Sequence, residues 1–86
     1  MKKFEYTVKD ANGIHARPAG LLLKAAKALD STITLENAAG KSAVATKLMA
    51  VMGLGIKQGD TITVTVEGGD EKANASAMEK FFSENL

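Results

Sequence analysis

The sequence contains few of the residues on which small proteins often rely: its 86 residues include no cysteine, one proline, one histidine, three phenylalanines and one tyrosine. Without cysteine there is neither a disulfide framework nor a thiolate metal site, and one histidine is too few for a zinc site. A net charge of +1 and the scarcity of aromatic residues argue against nucleic-acid binding. We therefore expect no metal site and no nucleic-acid partner.

The sequence also lacks any apolar run long enough to cross a membrane. Residues 4–10 alternate between polar and apolar, whereas a signal peptide needs a continuous apolar stretch. We therefore expect a cytoplasmic protein with no direct membrane insertion. A hydrophobic share of 45% and a charged share of 24% are typical of globular domains, so the length predicts a single domain over residues 1–86.

Apolar residues alternate with polar ones at four places, which is the pattern of a strand with one buried face. The clearest case is residues 61–66, where Ile62, Val64 and Val66 alternate with threonines and every residue is β-branched. The other predicted strands are residues 4–8, residues 32–36 and, with a weaker pattern, residues 41–45.

Three further segments are predicted to be helical. Residues 16–29 are helix formers, and Pro18 is acceptable because it falls in the first turn. Residues 48–52 predict a short apolar helix, opened by Thr46 or Lys47. The third helix has Asp70 as its N-cap and carries apolar residues at helical spacing, namely Ala73, Ala77, Met78 and Phe81.

The predicted order of elements is β-α-β-β-α-β-α. In so short a chain there is too little material for a second layer of helices, so every helix must cover the same side of the sheet. We therefore predict an α+β fold: an open-faced β-sandwich in which a four-stranded antiparallel sheet is covered on one face by three helices.

The single histidine, His15, directly precedes the first predicted helix. A helix N-terminus binds anions through its free N–H groups and its partial positive charge, and Arg17 lies two residues further on. An imidazole can act as a nucleophile at neutral pH. These features point to phosphate on His15, although a capping or simply exposed histidine is the alternative interpretation.

Some apolar residues exceed what the core needs. The consecutive residues Leu21, Leu22 and Leu23 span roughly 200° of a helix, which is wider than one buried stripe. With Ala19, Leu23 and Ala26 as the core stripe, Leu22 would face outward. The short helix at residues 48–52 raises the same question, since its leucine, valine and methionines can form core or an adaptable binding surface.

The motif around the histidine resembles that of a known family. Residues 13–20 read Gly13-Ile14-His15-Ala16-Arg17-Pro18-Ala19-Gly20, which is similar to the active-site motif of HPr, the histidine-containing phosphocarrier family of the bacterial phosphoenolpyruvate-dependent sugar phosphotransferase system. The resemblance covers nearly the whole chain, including Gly40-Lys41-Ser42, residues 48–56 and the last helix.

The resemblance implies a phosphoryl carrier rather than an enzyme. Enzyme I would phosphorylate Nδ1 of His15, and the group would pass to the A domains of sugar-specific enzymes II. The N–H groups of Ala16 and Arg17 would hold the phosphate with the Arg17 guanidinium, and Pro18 would fix the start of the helix. No cofactor is implied.

The resemblance also implies one docking face that serves both kinds of partner in turn. A carrier that must expose one face to successive partners is most simply a monomer, and basic residues would favour acidic partner surfaces. The expected docking residues are Gly20, Leu22, Lys24, Lys27, Leu48, Met49 and Met52.

One position departs from the family pattern. Many relatives have a regulatory phosphoserine where alignment through Gly40-Lys41 and Leu48-Met49 places Lys47, and lysine cannot take that modification. Thr46 is adjacent, but we do not expect it to substitute as a phosphosite. A regulatory interaction module switched by phosphorylation of His15 remains the alternative function, since some paralogues serve regulatory systems.

Overall fold

The computed structural model describes residues 1–14 and 16–86, and its elements follow the predicted order. The first helix is shorter than predicted, because residues 28 and 29 form a hydrogen-bonded turn after it. The elements are β1 (Lys2–Thr7), α1 (Ala16–Lys27), β2 (Thr32–Glu36), β3 (Ser42–Val44), α2 (Leu48–Met52), β4 (Thr61–Glu67) and α3 (Glu71–Asn85).

The four strands form one antiparallel sheet with the order β1-β4-β2-β3. In the central strand β4, Ile62, Val64 and Val66 are fully buried, while the alternating threonines point to the other side and are exposed or half-buried. Because successive side chains of a strand point to opposite faces, one face of the sheet is covered and the other is open. The predicted open-faced α+β sandwich is therefore confirmed.

The helices pack on the covered face and on one another. Helix α3 lies against β1 and β4, α2 lies against β3, and α1 contacts both other helices. Phe82 of α3 is fully buried, and its ring lies 6.0 Å from that of Phe4 and 5.5 Å from that of Tyr6. Burial of such large apolar side chains is the main source of stability in so small a chain.

The prediction that Leu22 faces outward is wrong. Leu22 is fully buried, together with Ala19 and Ala26 at spacings of three and four residues, which place all three on one side of the helix. Leu23 is half-buried at the edge of this stripe, and Leu21 is the exposed member of the triplet. Leu22 is therefore a core residue and is not available to a partner.

Candidate functional site

Helix α1 begins with Ala16 and Arg17, whose side chains are both exposed, followed by the buried Pro18. Its first turn contains no acidic residue, so no carboxylate of that turn competes for the positive end of the helix dipole. The predicted acceptor, His15, lies outside the described residues, and its position here is known from the sequence alone.

The two residues before position 15 are closely fitted to the rest of the chain. Gly13 has φ +64°, and a Cβ atom there would lie only 2.3 Å from the carbonyl oxygen of Ile56, so only glycine fits. The N–H of Ile14 donates to that same oxygen at 3.1 Å, and the Ile14 side chain is buried. The chain is therefore held in place at Gly13 and Ile14.

The loop that leads to Gly13 is held from the opposite side by the end of α3. The N–H groups of Lys9 and Asp10 both donate to the backbone oxygen of Leu86, at 2.6 and 2.8 Å. The Asp10 carboxylate accepts from the N–H of Asn12 at 2.9 Å, and Gln58 donates to the carbonyl oxygen of Lys9 at 3.2 Å. Contacts from distant parts of the sequence thus fix this loop.

A cavity of about 380 Å³ lies beside Arg17. It brings together three segments: α1, the loop before it and the last turn of α3. Its lining residues are Asp10, Asn12, Arg17, Pro18, Leu21, Glu84 and Asn85. Arg17 contributes a positive charge to this cavity, and the carboxylates of Asp10 and Glu84 line it as well. Of the polar lining residues outside the motif, only Asn12 had a local signal in the sequence, because an Asn-Gly pair such as Asn12-Gly13 is typical of a turn.

The predicted docking residues other than Leu22 lie on α1 and α2, which pack together. Met49 is 78% exposed and Met52 36% exposed, which is unusual for large apolar side chains. Lys24 and Lys27 are exposed, whereas Gly20 and Leu48 are half-buried. We call Met49, Met52, Lys24 and Lys27 the α1–α2 surface.

Helix α2 begins without a side-chain cap. Its N-cap is Lys47, an exposed residue in extended conformation whose side chain makes no capping hydrogen bond. Thr46, which the sequence offered as a possible cap, lies one position earlier and is half-buried. The position that alignment assigns to the regulatory serine is therefore at the very start of this helix.

Comparison with known proteins identifies the family. The sequence profile described as PTS HPr component phosphorylation site matches residues 2–84. The chain belongs to the HPr family. HPr proteins are phosphocarriers of the phosphotransferase system, so the family resemblance inferred from residues 13–20 is confirmed.

Individual HPr proteins are similar over almost their whole length. The phosphocarrier protein HPr of Mycoplasma genitalium is 35% identical over 85 residues, which cover 99% of this chain and 97% of that protein. The crystal structure of HPr-C-His from Thermoanaerobacter tengcongensis has 32% identity and a TM-score of 0.90, covering 99% and 94% of the two chains. An HPr dimer from the same organism matches with 32% identity and a TM-score of 0.74, covering 98% and 95%.

The described residues contain neither a cluster of metal-ligating side chains nor a membrane-spanning helix. Within residues 1–14 and 16–86, no three His, Cys, Asp or Glu side chains are grouped so that they could hold a metal ion. The helices described by the structure include none that is both long and apolar enough to span a bilayer.

Proposed function

We propose that this HPr-family chain, acting as a single domain over residues 1–86, accepts a phosphoryl group from phosphorylated enzyme I on Nδ1 of His15. It then donates the group to enzyme II A domains for sugar uptake. The observation that carries this proposal is the start of α1: directly after His15, the first turn offers the exposed Ala16 and Arg17 and contains no acidic residue.

The chemistry requires little from the carrier. The Nδ1 lone pair attacks phosphorus while the bond to the donor breaks, and the phosphoramidate formed on His15 later transfers the same group to the acceptor. Backbone N–H groups at the start of α1 and the Arg17 guanidinium stabilise the negative oxygens. Because partner proteins supply the donor and the acceptor, the chain acts as a phosphoryl carrier and not as an enzyme.

The α1–α2 surface would dock both partners in turn. It combines exposed methionines, which adapt to different shapes, with two lysines that attract acidic surfaces. Association of this kind is transient and sensitive to salt. We propose a cytoplasmic protein that works as a monomer, since each partner needs the same face; an excess of dimer at working concentration would contradict this.

The proposal is tested by incubation with enzyme I, magnesium and labelled phosphoenolpyruvate, followed by addition of an enzyme II A domain. We expect acid-labile label on the wild type, onward transfer to the A domain and no label on His15→Ala. Arg17→Ala should be labelled more slowly, whereas the control Lys72→Ala, at an exposed position of α3, should behave as wild type. No label on the wild type would overturn the carrier function.

Onward transfer distinguishes the carrier from the alternative, a regulatory module. Label that stays on His15 in the presence of several A domains would favour the regulatory module. We also propose that serine-type regulation is absent, because Lys47 occupies the position of the phosphoserine. Efficient labelling of Thr46 by a kinase that modifies other HPr proteins would contradict that part of the proposal.

A further inference from the structure

One side chain ties the hairpin loop between β2 and β3 to the loop that follows α2. The Nδ2 group of Asn37 donates to the carbonyl oxygen of Leu54 at 3.0 Å, across seventeen residues of sequence. Its Oδ1 atom accepts from the N–H groups of Ala39 and Lys41 at 3.1 and 2.9 Å. The half-buried amide therefore uses both its ends, one for its own loop and one for the distant loop.

The loop that receives this bond also supports the entry to α1. Two residues after Leu54, the carbonyl oxygen of Ile56 accepts from the N–H of Ile14 at 3.1 Å. The same carbonyl group leaves no room for a Cβ atom at Gly13. Any displacement of Ile56 must therefore move residues 13 and 14, and residue 15 is the next in the chain.

The backbone between these two contacts passes through a glycine and is held locally by a long hydrogen bond, from the N–H of Gly55 to the carbonyl oxygen of Met52 at 3.3 Å. Gly55 separates Leu54 from Ile56, has φ +64°, and would meet no atom within 4 Å if it carried a Cβ. Glycine has more conformational freedom to lose than any other residue, so a loop built on it needs fixed points on either side. The buried side chains of Leu54 and Ile56 fix where the loop lies. The shorter bond from Asn37, at 3.0 Å, holds the carbonyl side of the peptide group whose N–H donates to Met52.

From this chain of contacts we infer that Asn37 is a positioning residue for phosphoryl transfer: it helps to orient the 54–56 loop and, through Ile56, holds Gly13 and Ile14, which precede His15 in the sequence. The inference rests on the proposed carrier function. Within the part of the chain that the structure describes, the side chain of Asn37 forms its hydrogen bonds with Leu54, Ala39 and Lys41. Its proposed effect on the site passes through Leu54, Ile56 and Ile14.

The test is Asn37→Asp. An aspartate keeps an acceptor oxygen for Ala39 and Lys41 but cannot donate to Leu54, whose carbonyl oxygen would instead face a carboxylate. Asn37→Ser removes the same donor without adding charge, and its hydroxyl can still accept from a nearby N–H. The matched control is Ala38→Gly, which loosens the exposed tip of the hairpin without removing the side chain of Asn37.

Two measurements are needed. Amide hydrogen exchange of Ile14 should accelerate about fivefold in both Asn37 variants, the size expected from loss of one hydrogen bond, while the amides of β4 exchange as in the wild type. The kcat for phosphoryl transfer from enzyme I should fall about fivefold for the same reason, with a smaller change in KM because the α1–α2 surface is untouched. Ala38→Gly should change neither.

The two measurements separate a purely structural role of Asn37 from a role in phosphoryl transfer. Unchanged exchange at Ile14 would show that the contacts do not reach the site, and faster exchange with unchanged kcat would show that the site does not depend on them; either result overturns the inference. Failure of the carrier function itself would appear separately, as a wild type that takes no label while the exchange experiment still reports on Asn37.

Discussion

Helices α1 and α3 begin in opposite ways. At the start of α3, the Asp70 side chain accepts from the N–H of Ala73 at 3.3 Å, and the Glu71 carboxylate accepts from the N–H of Gly68 at 2.7 Å. The chain's own carboxylates thus occupy that N-terminus. At the start of α1, the first turn contains no acidic residue and presents Ala16 and Arg17 to solvent.

A buried side-chain amide also holds the first turns of α3 against the segment that follows α1. Asn74 is 7% exposed, and its Nδ2 group donates to Asp30 Oδ1 at 2.6 Å and to Ser31 Oγ at 2.7 Å. Ser31 in turn donates to the carbonyl oxygen of Gly68. The chain's own carboxylates thus stabilise the start of α3, whereas the first turn of α1 contains no carboxylate, as the proposed phosphate site requires.

The largest effect on phosphoryl transfer is expected from an acidic residue in the first turn of α1, where α3 has Glu71. Ala16→Asp places a carboxylate where the phosphoryl oxygens are proposed to lie, so it should reduce phosphoryl transfer about a hundredfold, as loss of a main oxyanion contact does. The unfolding midpoint should not fall, since an acidic residue at a helix N-terminus stabilises by about 0.3–1 kcal/mol. Transfer kinetics with enzyme I and urea denaturation measure the two effects.

The control for this variant is Ala77→Asp, which adds the same charge at an exposed position of α3. It should leave transfer unchanged. Equal losses in the two variants would mean that general repulsion of the partner, and not occupation of the α1 start, explains the effect.

The second prediction concerns stability alone. Asn74→Ala removes both bonds to Asp30 and Ser31 and leaves their oxygen atoms without this donor, so the free energy of unfolding should fall by about 2 kcal/mol. Urea denaturation measures the loss, with the exposed Ser76→Ala as control. The rate of phosphoryl transfer by the folded variant should match that of the wild type. A large change in kcat would show that the start of α3 also affects phosphoryl transfer.

The sequence predicts the sheet better than it predicts which helix faces are buried. Alternation of β-branched residues identified the bounds of β4 within one residue, because a strand with one buried face has apolar side chains at every second position. In α3, however, Ala73 and Ala77 are exposed and Asn74 is buried, contrary to the predicted spacing. The partners of that amide, Asp30 and Ser31, are more than forty residues away, and no local pattern indicates them.

The same limit applies to the candidate site. His15 and Arg17 could be proposed because they share one short motif at a helix start. The carboxylates of Asp10 and Glu84 line the same cavity as Arg17 only because of the fold, and the contact of Asn37 with Leu54 likewise arises only in the folded chain. The sequence could therefore suggest a local site, but it gave no indication of the residues that surround and support that part of the chain.

A smaller effect is expected from the cap of α3. Asp70→Ala removes the acceptor for the N–H of Ala73 and should lower the free energy of unfolding by about 1 kcal/mol. Asp70→Ser keeps a capping oxygen and should retain most of that stability. Urea midpoints of the two variants make the comparison, and equal losses would show that the cap contributes little. Phosphoryl transfer should be unaffected in both.

The smallest effect is a change in pH dependence at the same region. The side chain of Asn74 and, less strongly, the N–H of Asp70 hold the pKa of Asp30 below its ordinary value of 3.8. A lowered pKa stabilises the folded state above pH 3.8, and that contribution is lost as the pH falls through the folded-state pKa.

Asp30→Asn keeps an acceptor oxygen but cannot titrate, so the free energy of unfolding of this variant should decline less steeply with acid than that of the wild type. Urea midpoints between pH 2 and pH 5 test this, and parallel curves would show that Asp30 does not contribute to acid unfolding. Asn74→Ala should flatten the acid limb as well, because the main cause of the lowered pKa is then gone.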